Sequence, residues 1–181
     1  TETNEANITF ILFNTTSLVN STTYTTAVRT INWTSLPDAR YTYNVTVVDF
    51  ALNSNTTSTR TITLDQTAPN GTLIAPANGT YTNVTSQNFS ANLSDGLSGI
   101  RNATLNIYNS SGLFNSTTTV FSGTLNTLVG TVVTLVDGVY NWFYSIFDFA
   151  GNQFTTTNNT LSIDATPPAV DYGVGTPADG S

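Results

Sequence analysis

Residues 137 to 168 read DGVYNWFYSIFDFAGNQFTTTNNTLSIDATPP. This stretch aligns without a gap on DARYTYNVTVVDFALNSNTTSTRTITLDQTAP, residues 38 to 69, at an offset of 99. Asp137 falls on Asp38, Tyr140 on Tyr41, Trp142 on Tyr43, Ile146 on Val47, Asp148 on Asp49, Asn152 on Asn53 and Asp164 on Asp65. Upstream, NSSGLFNSTT (109–118) matches NTTSLVNSTT (14–23) at an offset of 95, and TPADGS (176–181) matches APANGT (75–80) at 101. A period of about 100 residues is the length of one β-sandwich domain. Residues 67–166 read as a complete domain and 1–66 as a domain lacking its first strands. Residues 167–181 read as the first strand of a following domain, or as a strand donated to a neighbour. Donation would leave the counterpart of the second strand unsupplied, which favours a longer tandem array. The chain opens at Thr1 without a leader segment, as a mature or excised piece would.

Within the complete copy, QNFSANLSD (87–95) sets Asn or Ser at every second position, with Phe89, Ala91 and Leu93 between. Successive strand side chains point to opposite faces, so this reads as a strand with one buried face. Further strands are expected at 71–77, 102–109, 139–148 and 154–164, with three short, less defined segments near 113–121, 124–129 and 131–136. Asn78-Gly79, Asp95-Gly96, Ser98-Gly99, Asp137-Gly138 and Ala150-Gly151-Asn152 supply the turns. Strands at this spacing, with no amphipathic helical pattern between them, predict an all-β fold of tandem Greek-key sandwiches.

Composition narrows the function. The chain has no Cys, Met, His or Lys, and only 8% of it is charged, against about 25% in ordinary soluble domains. A net charge of −7 with four Arg and no basic run argues against nucleic acid and anionic membrane surfaces. No apolar run approaches the roughly 20 residues that span a bilayer. Without His, Cys or Lys the usual general bases and activated nucleophiles are missing, and the recurring Asp residues sit at repeat-equivalent turns. An enzyme is not expected.

Asp95-x-x-Ser98-Gly99-Ile100, Asp148-x-Ala150-Gly151-Asn152, Asp164-x-Thr166-Pro167-Pro168 and Pro177-Ala178-Asp179-Gly180 resemble the tandem immunoglobulin-like repeats of prokaryotic surface proteins and adhesins. The resemblance covers essentially the whole chain and implies an extracellular or cell-surface location. It is specific for fold and tandem arrangement, and such repeats serve as stalks, filaments and binding modules alike. The first copy departs from the pattern at Leu52, where Gly is expected, so a looser turn is predicted there.

Asn-x-Ser/Thr with x other than Pro occurs at Asn7, Asn14, Asn20, Asn32, Asn44, Asn55, Asn70, Asn78, Asn83, Asn88, Asn92, Asn102, Asn109, Asn115 and Asn158, which is 15 of the 22 Asn. Ser and Thr number 53 of 181 residues, so about six or seven such triplets would arise by chance. In a period-2 strand the Asn and the hydroxyl share the outer face while x faces the core. One reading is that Asn- and Thr-rich strands produce the triplets for free. The functional reading is dense N-glycosylation, with sugars supplying the solubility that charges do not. Sugar-coated tandem repeats of this kind most resemble an archaeal surface protein.

No such triplet lies between Asn115 and Asn158, and that gap holds VYNWFYSIFD with Phe143 and Phe147 on its outer face. Three readings compete there: a contact patch for another copy or an adjacent repeat, an apolar spot covered by a loop, and a sugar-binding aromatic platform. Asp65, Asp95, Asp148 and Asn152 are a candidate calcium site, because the loops carrying them converge at one end of a Greek-key sandwich and offer oxygen ligands. The competing reading is that they cap their own turns.

The function expected is structural: a glycosylated extracellular repeat protein, part of a surface filament or adhesin stalk. The alternative is a carbohydrate- or cell-binding adhesion module. The expected partners are copies of itself or adjacent repeats, together with N-linked glycans.

Overall fold

The computed structural model describes residues 4–170, and among these there is no helix, so none long and apolar enough to cross a membrane. The tail read as a further first strand lies outside the described residues from 171 onward.

The first copy contributes β1 (Glu5–Phe13), β2 (Leu18–Tyr24), β3 (Ala39–Asp49), β4 (Ser54–Thr56) and β5 (Arg60–Leu64). They form one sheet in the order β2-β1-β3-β4, with β5 also paired to β3. The second copy contributes β6 (Asn70–Ala75), β7 (Thr80–Thr82), β8 (Ser86–Ser94), β9 (Ile100–Asn109), β10 (Gly112–Thr124), β11 (Asn126–Thr134), β12 (Gly138–Asp148), β13 (Gln153–Thr155) and β14 (Asn159–Ile163). Its larger sheet runs β10-β9-β12-β14-β7, with β13 also on β12, and a three-stranded sheet β11-β8-β6 faces it. Apart from β7, the larger sheet repeats the first copy: β9 matches β1, β10 matches β2, β12 matches β3, β13 matches β4 and β14 matches β5. The three-stranded sheet has no counterpart among the described residues of the first copy.

The core forms where the alternation places it. Phe89, Ala91 and Leu93 of β8 meet Ala103, Leu105 and Ile107 of β9 and Tyr140, Trp142, Tyr144 and Ile146 of β12, all buried. Phe89 meets the Trp142 ring edge-on, with ring centroids 5.1 Å apart. Burying each large side chain stabilises the fold by roughly 1.5–3 kcal/mol. The Tyr144 hydroxyl, buried with them, donates to the Phe89 carbonyl at 2.9 Å and so ties the two sheets together.

The repeat extends to single hydrogen bonds. Tyr140 donates to the Val136 carbonyl at 3.0 Å, and Tyr41 to the Pro37 carbonyl at 2.8 Å. A threonine hydroxyl takes a backbone N–H of the long strand in both copies, Tyr144 N to Thr156 and Val45 N to Thr57. Asp148 holds the Asn152 backbone and side-chain amides at 2.8 Å, and Asp49 holds those of Asn53 at the same distance.

Two local expectations change. The three short segments of 113–136 are two long strands, β10 and β11, because Gly123 at φ +87° is taken up inside β10 at a bulge against β9 and Gly130 stays inside β11. The turn at Leu52 is not looser. Leu52 adopts φ +69° where its counterpart Gly151 has +95°, held by the Asp49–Asn53 bonds, at a strain of about 1–2 kcal/mol for a residue with a side chain.

In the first copy no sheet among the described residues opposes the inner face of β1 and β3. Ile8, Phe10, Leu12 and Tyr41 are buried, and Trp33 of the connecting segment packs edge-on against Tyr43 and donates to the Asn20 side chain. Further along, Val45 and Val47 line a groove of about 640 Å³ with Ile8, Phe10, Arg29 and Asn53.

Candidate functional site

The convergence expected of the loops occurs at the junction between the copies. Asp65 follows β5, Asp95 follows β8 and Asp148 ends β12, and one carboxylate oxygen from each lies within 4.8 Å of the others. Asp148 is wholly buried and Asp95 nearly so, at 7% exposure. Each is anchored by donors. Asp65 accepts the Thr67 and Ser98 N–H groups, Asp95 accepts those of Leu97 and Gly99 through Oδ2, and Asp148 accepts both amides of Asn152. The Ser98 bond, at 2.9 Å, crosses from one copy to the other.

Alongside the turn-capping bonds, two observations bear on a bound cation. The buried Asp95 Oδ1 has no hydrogen-bond partner, and neither does the buried hydroxyl of Ser98. In addition, the one ion pair among the described residues, Arg29–Glu5, lies in the first copy and engages none of the three. Two charges 4.8 Å apart repel by about 3.5 kcal/mol at an effective dielectric of about 20. Two oxygens on one calcium ion, each about 2.4 Å from it, stand no more than about 4.8 Å apart, so the cluster has the span of a single-ion ligand set. Asn152 also reaches the cluster. Its side-chain nitrogen, a donor, bonds to Asp148 and to the backbone carbonyls of Asp65 and Thr67, and so clamps the junction.

The fifteen Asn-x-Ser/Thr asparagines divide by exposure. Asn32, Asn55, Asn70, Asn78, Asn83, Asn88, Asn92 and Asn158 are exposed, and Asn7, Asn14, Asn20, Asn44, Asn102, Asn109 and Asn115 are half-buried. Asn20 and Asn115 depart from the expected outer face. The register slips beside each, at Phe13 and Leu113, leaving Val19 and Phe114 unpaired and setting Asn20 opposite Leu12 and Asn115 opposite Ile107. Each therefore points toward the core side of an edge strand, and its oxygen accepts a hydroxyl, Thr22 at 2.7 Å and Thr117 at 2.9 Å. Asn44 faces outward, yet its side-chain oxygen is covered and unpartnered.

Phe143 and Phe147 are half-buried. The Tyr108 ring stacks on Phe143 with centroids 6.0 Å apart, and the Arg101 guanidinium lies 5.6 Å from the centre of the Phe147 ring. Both contacts come from the neighbouring strand β9. The gap without triplets along the chain is not a gap in space, since Asn102 stands directly opposite Phe147. Cross-strand adjacency, invisible to a linear scan, makes the difference.

The fold defines an all-β, sandwich-like module. A family model described as "Bacterial Ig-like domain" matches residues 69–165, and the chain belongs to that family. Among solved structures, the chain is similar to fibronectin(III)-like modules of Clostridium thermocellum CbhA, at 16% identity and a TM-score of 0.43 over 95% of this chain and 85% of that one. It is also similar to a tetra-tandem repeat in the extending region of a large adhesion protein, at 20% identity and a TM-score of 0.49, covering 90% of this chain and 42% of that one. No curated protein sequence matches.

Proposed function

We propose that this chain is a glycosylated structural segment of an extracellular filament or adhesin stalk, in which each repeat is joined to the next through a carboxylate-lined junction. The observation that carries the reading is the duplication itself. One sheet recurs with the same tyrosine and aspartate anchors, and the residues that close the first copy are the ones that dock on the second. Asp164 repeats Asp65 and accepts the Thr166 N–H as Asp65 accepts that of Thr67, so the same junction chemistry is ready at the far end of the second copy. N-linked sugars on the accessible asparagines take the place of surface charge. Peptide-level mass spectrometry of native material tests this. Glycan mass at Asn88, Asn92 and their fellows is expected; unmodified asparagine throughout would overturn the glycosylated reading.

At the junction, Asp65, Asp95 and Asp148 would hold a calcium ion, with Asn152 positioning Asp148 and the backbone of residues 65 and 67. The ion would supply the positive charge that the three carboxylates lack and would stiffen the connection between repeats. Lateral packing on another copy through Phe143 and Phe147 would require Asn102 to be bare.

A further inference from the structure

We infer that an N-linked glycan on Asn88 acts as a built-in cover for Leu128 and Val132, two aliphatic side chains on the outer face of the three-stranded sheet. The inference rests on the glycosylated reading above and assigns the sugar a place in the fold.

β8 and β11 pair antiparallel, with Val132 opposite Asn88, Gly130 opposite Ser90 and Leu128 opposite Asn92. These six residues share the outer face, because Phe89, Ala91 and Val129 between them are buried. Leu128 is 64% exposed and Val132 68%. No Asp, Glu, Lys or Arg occurs in β6, β8 or β11, so the face has none of the charges that ordinarily keep an exposed sheet from associating. β6 and β11 are also the open edges of this sheet.

Gly130 explains how the face is arranged. It lies within a strand, has no left-handed φ, and so is not required by a turn. A side chain there would meet the Asn88 carboxamide, with a Cβ placed 2.9 Å from Oδ1 and 3.5 Å from Nδ2. A glycine inside a strand weakens it and marks a close approach by another group. Here that group is the Asn88 side chain, lying in a slot flanked by Leu128 on one side and Val132 on the other. Nδ2 is the atom to which an N-linked sugar attaches. The first sugar therefore rises from the slot between the two aliphatic side chains, where the C–H face of its ring can cover them. A second sugar on Asn92, opposite Leu128, would extend the cover. Ser90, the hydroxyl of the Asn88 triplet, is buried at 7% exposure, so attachment belongs to a stage before this sheet closes.

The test uses the full chain made in its glycosylating host, with occupancy at Asn88 read by peptide mass spectrometry. Asn88→Gln, leaving the other triplets intact, is compared by sedimentation and hydrophobic-dye binding with Asn158→Gln, an exposed triplet asparagine outside this face. The expected result is that Asn88→Gln alone binds dye and loses its monomer to self-association. Adding Leu128→Ser and Val132→Ser is expected to restore the monomer. An occupied Asn88 whose loss has no more effect than that of Asn158 would overturn the cover while leaving glycosylation standing. A bare Asn88 would overturn the cover and remove this position from the glycosylated reading. Self-association of the fully glycosylated chain that Leu128→Ser and Val132→Ser abolish would make the face an interface between copies and overturn the inference.

Discussion

The backbone N–H of Ser98 donates to the Asp65 carboxylate at 2.9 Å, so the last strand of one repeat is pinned to the first long turn of the next. The same carboxylate lies within 4.8 Å of Asp95 and Asp148, and the calcium proposed for this cluster is open to a direct test. Binding to the folded state alone should stabilise it by about 2.7 kcal/mol at a hundredfold excess of calcium over Kd. Calorimetry in calcium and in chelator should therefore give separated unfolding midpoints. Coincident midpoints would remove the metal from the account.

Asp95→Asn separates the metal reading from turn capping. Asn retains an oxygen for the Leu97 and Gly99 N–H groups but removes one charge from the cluster. In chelator the variant should be more stable than the parent, because repulsion falls; in calcium it should be less stable. If the substitution destabilises equally in both, the aspartate is a turn cap and nothing more.

Leu52→Gly should raise stability by roughly 0.5–1 kcal/mol. The left-handed strain at Leu52 is relieved, and part of the gain is returned as chain entropy of the unfolded state. Denaturant unfolding of the pair measures it. A loss of stability would mean that the exposed Leu52 side chain makes contacts that outweigh its backbone strain.

Acid should destabilise the repeats in a defined direction. The Thr166 hydroxyl and Ala165 N–H hold Asp137 below the ordinary 3.8, and the Gln66 N–H and Thr67 hydroxyl do the same for Asp38. A depressed carboxylate contributes stability that is present above the unfolded value and lost as pH falls through the folded one. The loss should thus appear below about pH 4. Asp137→Asn should flatten that acid limb for the second repeat; an unchanged limb would show that other groups control it.

Glycan occupancy should follow the bulges. Where the host modifies folded strands, Asn20 and Asn115 should be less occupied than Asn83, Asn92 and Asn158, because the register slips turn them toward the core side. Equal occupancy at all fifteen would mean that attachment precedes strand pairing throughout. Occupancy at Asn102 would also rule out lateral contact through Phe147, which it faces.

The features legible in the residue order are those that short-range physics dictates. Alternation in QNFSANLSD set Phe89, Ala91 and Leu93 inward, and a gapless repeat set Tyr140 on Tyr41 and Asp148 on Asp49, because side-chain direction and turn chemistry depend on near neighbours. The sandwich class and the residues of the long central strand followed from these patterns. The convergence of Asp65, Asp95 and Asp148 was foreseeable from repeat position; the orphaned Asp95 Oδ1 and the donor role of Asn152 were not. Tertiary structure alone decided which strand lies beside which, and in what register. That choice put Asn102 against Phe147, turned Asn20 and Asn115 inward at their bulges, and laid Asn88 over Gly130 between Leu128 and Val132. Strand neighbours are far apart in the chain, and a slip of one residue reverses a face. No linear pattern records either fact.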